Sequence, residues 1–165
     1  MTFRGEITIR SSPATVWAAV SDPSLMPLWN PKCLKCERQE GSMRMGSRYK
    51  ATFRMRGPEQ ETWCEVRDCV PTQLLTTRYS GKAFRNNGYV EETFRLTPIP
   101  SGTRLLHAVD FAHSGLPWLV RLLMQLVGTF GYSVGQSSLD GIRGLVEEGM
   151  GNQPSQSISG MPGSD

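Results

Sequence analysis

Residues 3–31, FRGEITIRSSPATVWAAVSDPSLMPLWNP, set the order in which the fold is built. Phe3, Ile7 and Ile9 alternate with Arg4, Glu6, Thr8 and Arg10, the period-two pattern of a half-buried strand over about 3–10. Ser12 before Pro13 supplies a helix N-cap with proline at the first helical position, and Val16, Trp17, Ala19 and Val20 follow at helical spacing. A short helix over 13–20 is predicted. Asp22-Pro23 ends it, a second helical turn runs through Leu25 and Leu28 to Trp29, and Pro31 returns the backbone to an extended form. Two small helices thus separate the first strand from the second.

Working outward, the chain from Lys32 reads as short strands at about 32–39, 47–56, 61–69, 73–80, 88–97 and 103–112. Glu40-Gly41-Ser42, Gly57-Pro58-Glu59, Val70-Pro71-Thr72, Asn86-Asn87-Gly88 and Pro98-Ile99-Pro100-Ser101-Gly102 separate them with turn chemistry. Connections this short favour an antiparallel meander. Leu116 to Glu148 then carries Leu119, Leu123, Leu126, Phe130, Val134 and Leu145 at roughly helical spacing, which predicts one long C-terminal helix. Its glycines, Gly128, Gly131, Gly135, Gly141 and Gly144, each cost about 1 kcal/mol relative to alanine, so this helix needs tertiary support. A sheet must bury its apolar face, and this helix is the element large enough to cover it. The expectation is an α+β fold: one domain over 1–148, with a seven-stranded curved antiparallel sheet wrapped around the long helix. The tail from Gly149 to Asp165 is rich in Gly, Ser, Pro and Gln and is expected to be disordered.

Composition agrees with one core: 165 residues, 38% hydrophobic and 20% charged, are ordinary values for a globular chain. A net charge of +3 falls short of the clustered basic footprint of nucleic-acid binders, so no nucleic-acid partner is expected. The alternating N-terminus lacks the apolar region of a signal peptide. Leu116 to Val127 contains Arg121 and Gln125 and falls short of the roughly 20 residues needed to cross a bilayer. Four cysteines without an export signal point to free thiols in a reducing cytoplasm. Phosphate-loop, dinucleotide, hydrolase-elbow and zincin motifs are absent, and no cofactor is expected.

The strand faces locate the candidate chemistry. In 47–56, Arg48, Lys50, Thr52, Arg54 and Arg56 share the wet face, while Tyr49, Ala51, Phe53 and Met55 share the other. In 88–97 the inward set is Val90, Glu92, Phe94 and Leu96; in 103–112 it is Leu105, His107, Val109 and Phe111. Pairing Leu96 with Thr103 across the loop places Phe94 opposite Leu105 and Glu92 opposite His107. A Glu-His pair in an apolar pocket is an acid/base or ligand-orienting candidate, because burial and a neighbouring charge both shift proton affinity. The blander readings, which weigh more, are a satisfied buried pair or a slip of two residues that separates the two side chains. Cys33-Leu34-Lys35-Cys36 with Cys64 and Cys69 has the count for zinc, but each pair has opposite parity along its strand and splits across the sheet faces. No metal is expected. His113 falls in a surface loop, and Trp17 and Trp29 read as packing residues.

The order of elements resembles the START-related (SRPBCC) superfamily with its helix-grip fold, the fold of the birch pollen allergen. Local wording agrees: Ile7-Thr8-Ile9, Ser12-Pro13-Ala14-Thr15-Val16-Trp17, Asp22-Pro23, Leu28-Trp29-Asn30-Pro31 and Gly102-Thr103-Arg104-Leu105. The chain is similar, over about 3–148, to the polyketide cyclase/dehydrase and lipid-transport branch. That resemblance implies a hydrophobic small-molecule ligand, such as a lipid, quinone or polyketide, held between sheet and helix. The strand faces supply its lining: Tyr49, Phe53, Met55, Tyr79, Phe94, His107 and Phe111, with Leu119, Leu123 and Phe130 from the helix. The alternatives are a cyclase or dehydrase that uses Glu92 and His107 to move a proton, and a membrane-surface or protein-interaction role for Leu116 to Val127, whose apolar residues cover more than one face. A monomer or homodimer fits either.

Overall fold

The computed structural model describes residues 1–37, 41–54, 58–82, 84, 87–115 and 136–150. Strand β1 (Thr2–Ile9) leads into α1 (Pro13–Ser21), whose N-cap Ser12 accepts the Thr15 N–H through Oγ at 3.2 Å. Asp22 ends α1 and caps the 3-10 turn Pro23–Leu25, its Oδ1 accepting from the Ser24 N–H at 2.9 Å. Helix α2 (Met26–Trp29) follows directly. Strands β2 (Cys33–Cys36), β3 (Arg48–Phe53), β4 (Gln60–Val70), β5 (Leu74–Ser80), β6 (Tyr89–Ile99) and β7 (Gly102–Asp110) complete one antiparallel sheet in the order β1-β7-β6-β5-β4-β3-β2. Helix α3 (Gln136–Gly144) continues as a π-helical turn, Leu145–Met150. The curled seven-stranded sheet, the C-terminal helix and the short helices after β1 are those that the alternation and breaker residues predict. The first part of the predicted long helix, 116–135, lies outside the described residues, and so does the membrane-surface segment 116–127. No described helix is long and apolar enough to cross a membrane.

The β6–β7 register differs from the predicted one by two residues. Leu96 faces Leu105, Phe94 faces His107 and Glu92 faces Val109. The hairpin loop is only Pro100-Ser101, because β6 runs on through Pro98 and Ile99, and Ile99 pairs with Gly102. Pro98 is tolerated there because its pair with Thr103 follows the loop-closing pair. A missing N–H at that position points away from β7, beyond the last β5 pairing at Arg95. Gly102 closes the turn at φ +135, and a Cβ there would stand 2.2 Å from the Ile9 carbonyl oxygen.

Two bulges overturn the parity argument for the cysteines. The register shifts between Cys33 and Lys35 in β2, and between Val66 and Asp68 in β4. Each bulge adds one residue, so residues of opposite parity on either side return to the same face. Cys33 and Cys64 are buried, and Cys36 and Cys69 pack against the core.

Helix α3 is pressed against α2. Leu139, Ile142 and Val146 are fully buried with Ile9, Val16, Trp29 and Leu105. A Cβ on Gly141 would stand 2.2 Å from the Trp29 carbonyl oxygen, whereas one on Gly144 would meet open space. Trp29 is a packing residue, as expected, with Nε1 donating to the Ala19 carbonyl at 3.1 Å.

Candidate functional site

Three polar side chains meet on the concave face. Glu92 lies at the centre of β6, with Thr77 opposite it on β5 and Val109 opposite on β7. Its two donors come from diagonal positions: Tyr79, which faces Val90, and His107, which faces Phe94. The Tyr79 hydroxyl donates to Glu92 Oε2 at 2.5 Å, and His107 Nε2 lies 2.6 Å from Oε1. The pair that the sequence singles out therefore forms, but along a diagonal, because both side chains are long enough to span the two-residue offset.

Aromatic rings enclose this group. The His107 ring stacks on Phe94 with centroids 4.7 Å apart and planes at 10°, and Trp29 and Phe94 meet edge-to-face at 5.7 Å. Phe53 lies edge-on to Tyr79 at 5.9 Å. Glu92 is 8% exposed and His107 4%. Tyr49 is buried on β3, with the Thr77 hydroxyl and the Cys64 thiol beside its own hydroxyl. Phe111 stands apart, edge-on to Phe3 at 5.7 Å at the far end of β1 and β7. Met55, Leu119, Leu123 and Phe130 lie outside the described residues.

Electrostatics separates one anion from a set of neutral groups. Burial pushes the Glu92 carboxyl up. The hydrogen bond and charge of His107, the Tyr79 hydrogen bond and the charge of Lys32 outweigh burial and hold it below the usual range. Burial first, and then the Glu92 charge, raises Tyr79 well above the ordinary phenol range; burial raises Tyr49 likewise. The thiols follow: burial pushes Cys33 up to about 11, Cys36 to about 12 and Cys64 higher still. Near neutral pH the interior thus holds an ionised carboxylate, two protonated phenols and protonated thiols.

Sequence reasoning passed over Thr77 and assigned the two members of each cysteine pair to opposite faces. Thr77 shares the parity of Tyr79, and Cys64 that of Thr62 and Val66, so both could have been read from alternation, whereas Cys36 and Cys69 lie beyond a bulge that alternation does not reveal. Among the described residues, no cluster of three or more His, Cys, Asp or Glu is arranged to hold a metal. His113 is exposed and stacks on Tyr89 at 4.9 Å. On the convex face, Arg48 pairs with Glu65 at 3.3 Å, Lys50 with Glu61 at 3.4 Å and Arg54 with Glu59, so acids of the β4 segment face the basic row of β3. Arg56 lies outside the described residues.

A curled antiparallel sheet closed by a C-terminal helix, with short helices after the first strand, defines the helix-grip class. The chain belongs to the family described as polyketide cyclase / dehydrase and lipid transport, whose sequence profile matches residues 1–147. Solved structures of the same fold include protein MLL2253 from Mesorhizobium loti, at 19% identity and TM-score 0.65 over 89% of this chain and 97% of that one. Protein NE0264 from Nitrosomonas europaea gives 16% identity and TM-score 0.67 over 92% and 97%, and Ara h 8.0201 gives 20% and 0.62 over 89% and 97%. No curated protein matches the sequence.

Proposed function

We propose that the protein binds or carries a hydrophobic small molecule, of lipid, quinone or polyketide type, between the concave face of the sheet and the C-terminal helix. Membership of the family supports hydrophobic ligand binding in general terms. The observation that carries the reading for this chain is the buried Tyr79–Glu92–His107 group among aromatic rings. Burying an ion pair or a carboxylate network contributes little to stability compared with apolar packing of the same volume. Polar groups kept amid an aromatic interior are what orient a ligand in an otherwise apolar pocket. The test is native mass spectrometry of protein purified from its expression host, followed by solvent extraction. A reproducible, stoichiometric apolar molecule supports the reading; an empty protein that also fails to take up a hydrophobic fluorescent probe refutes it in favour of a filled core.

The same group favours a second reading, a cyclase- or dehydrase-type enzyme. A histidine oriented by a carboxylate can move a proton, while a phenol held protonated can donate to a developing enolate oxygen. Once a turnover is found, Glu92→Gln and His107→Gln test it singly, and unchanged rates in both remove the pair from the chemistry.

A further inference from the structure

The two edges of the sheet are built differently. Strand β2 is four residues long, bulged between Cys33 and Lys35, entered from Pro31 and flanked by Lys32, devices that keep an edge from pairing with another chain. Strand β1, at the other edge, runs eight residues in unbroken register with β7 and contains no lysine, proline or bulge. Its Thr, Phe and Ile residues are good strand formers. The Phe111 N–H donates to the Met1 carbonyl at 2.8 Å, so the odd positions of β1 bond to β7. The N–H and C=O groups of Thr2, Arg4, Glu6 and Thr8 therefore point outward. Arg10 continues that series, and its N–H already donates to Glu147 at 2.8 Å. Among the described residues, no strand pairs with the outer edge of β1 and no hydrogen bond meets positions 2–8 there.

We propose that β1 pairs antiparallel with β1 of a second copy of this chain, joining two sheets across a two-fold axis at Gly5. Outward groups must meet outward groups, so the permitted registers differ by steps of two residues in the partner strand. One sets Arg4 against Arg4 of the partner subunit. Another sets Glu6 against Glu6 of the partner subunit and calls on the Arg10 N–H that Glu147 holds. The register between them sets Arg4 against Glu6 of the partner subunit, twice by symmetry, and directly opposed unlike charges stabilise a strand pair where like charges destabilise it. Gly5 then lies on the axis in a non-hydrogen-bonded pair, where strands come closest and it presents no side chain. On the concave side the half-buried Phe3 faces Ile7 of the partner subunit. Charges guard an edge when they meet their like; here the favoured register meets the opposite sign. Among the described residues Arg4 has no acid in its own chain, and the contact of Glu6 with Arg104 is a 3.5 Å pair with both side chains more than half exposed. This self-complementarity selects a second copy over other extended chains, and it holds whatever the interior binds.

The experiment is sedimentation of the full chain from about 1 μM to about 1 mM, over which the mass should rise from 18.4 kDa towards twice that value. Arg4→Glu and Glu6→Arg each turn both symmetric pairs into like charges, and each should weaken the dimer at least about tenfold. The double variant, Arg4→Glu with Glu6→Arg, should recover the wild-type dissociation constant, and the two single variants mixed together should form a mixed dimer. Amide exchange of the wild type by NMR needs no variant to fold: the Arg4, Glu6 and Thr8 N–H groups should be protected at high concentration and lose protection on dilution. A monomer throughout leaves the edge to a different chain and overturns the proposal. So does a dimer that both single variants leave unchanged, or a double variant that fails to recover. Edge amides protected at every concentration overturn it too, because another part of this chain then covers β1.

Discussion

Glu92 is the residue on which the interior turns, and its surroundings predict its behaviour in acid. Burial raises its carboxyl, but His107 and Tyr79 more than offset this, so its folded value lies below the unfolded one of about 4.3. A carboxyl depressed by folding contributes stability above its unfolded value and loses that contribution as pH falls through the folded one. The wild type should therefore lose urea resistance between about pH 5 and pH 3, and Glu92→Gln, less stable at pH 7, should lose less over the same interval. Parallel curves would mean that Glu92 is not ionised in the fold. Tyr79→Phe probes the other side of the carboxylate. It leaves Oε2 without its donor at the cost of one hydroxyl, and should lower the unfolding free energy by about 1–3 kcal/mol, measured by urea titration at pH 7. A loss below a few tenths would show that another group satisfies Oε2.

At the scale of elements, glycine serves two purposes in one helix. A methyl at position 141 would collide with the Trp29 backbone, which cannot rotate aside, whereas position 144 faces open space. Gly141→Ala should therefore destabilise by about 1–3 kcal/mol or more through overpacking. Gly144→Ala should be neutral or stabilise by up to about 1 kcal/mol through helix propensity. Thermal unfolding of the two variants checks the pair, and a destabilised Gly144→Ala would place something against that face. From sequence alone the two glycines were indistinguishable, because helical spacing says where a residue lies on a helix and nothing about how close its neighbour comes. The strands were legible where alternation and turn residues agree, as in Ile7 and Ile9 of β1 or Tyr49 and Ala51 of β3. Legibility stopped where one extra residue enters a ladder: the bulges after Cys33 and Val66 reverse the inferred faces without any mark in the hydrophobic pattern. The β6–β7 register failed for a related reason. Pro98 reads as a loop residue until it is known that β5 ends before reaching it. Glu92 and His107 survived that error because a slip of two preserves the face on which each side chain lies.

At the scale of the whole molecule, the buried thiols report on how firmly the sheet and helix close. Cys64 lies on the concave face at the middle of β4, and Cys33 and Cys36 lie on the β2 edge strand. The nucleophile in alkylation is the thiolate, and burial leaves little of it. At pH 8 a thiol raised to about 11 is ionised to roughly one part in a thousand, against about a quarter for an unperturbed cysteine. Cys33 in the folded state should therefore react with iodoacetamide at least a hundredfold more slowly than in urea, and Cys64, higher still and fully buried, should react only through opening of the fold. Opening couples labelling to ligand. A molecule that binds the closed state alone lowers the open population by the factor 1 + [L]/Kd, so an apolar ligand at about a hundred times its Kd should slow Cys64 labelling about a hundredfold. Peptide mapping after timed quenching separates Cys64 from exposed-edge sites and from Cys69, which is less deeply buried. If saturating ligand leaves the Cys64 rate unchanged, the ligand sits outside the space between sheet and helix, because nothing bound there could stay in place while the β4 interior opens to reagent.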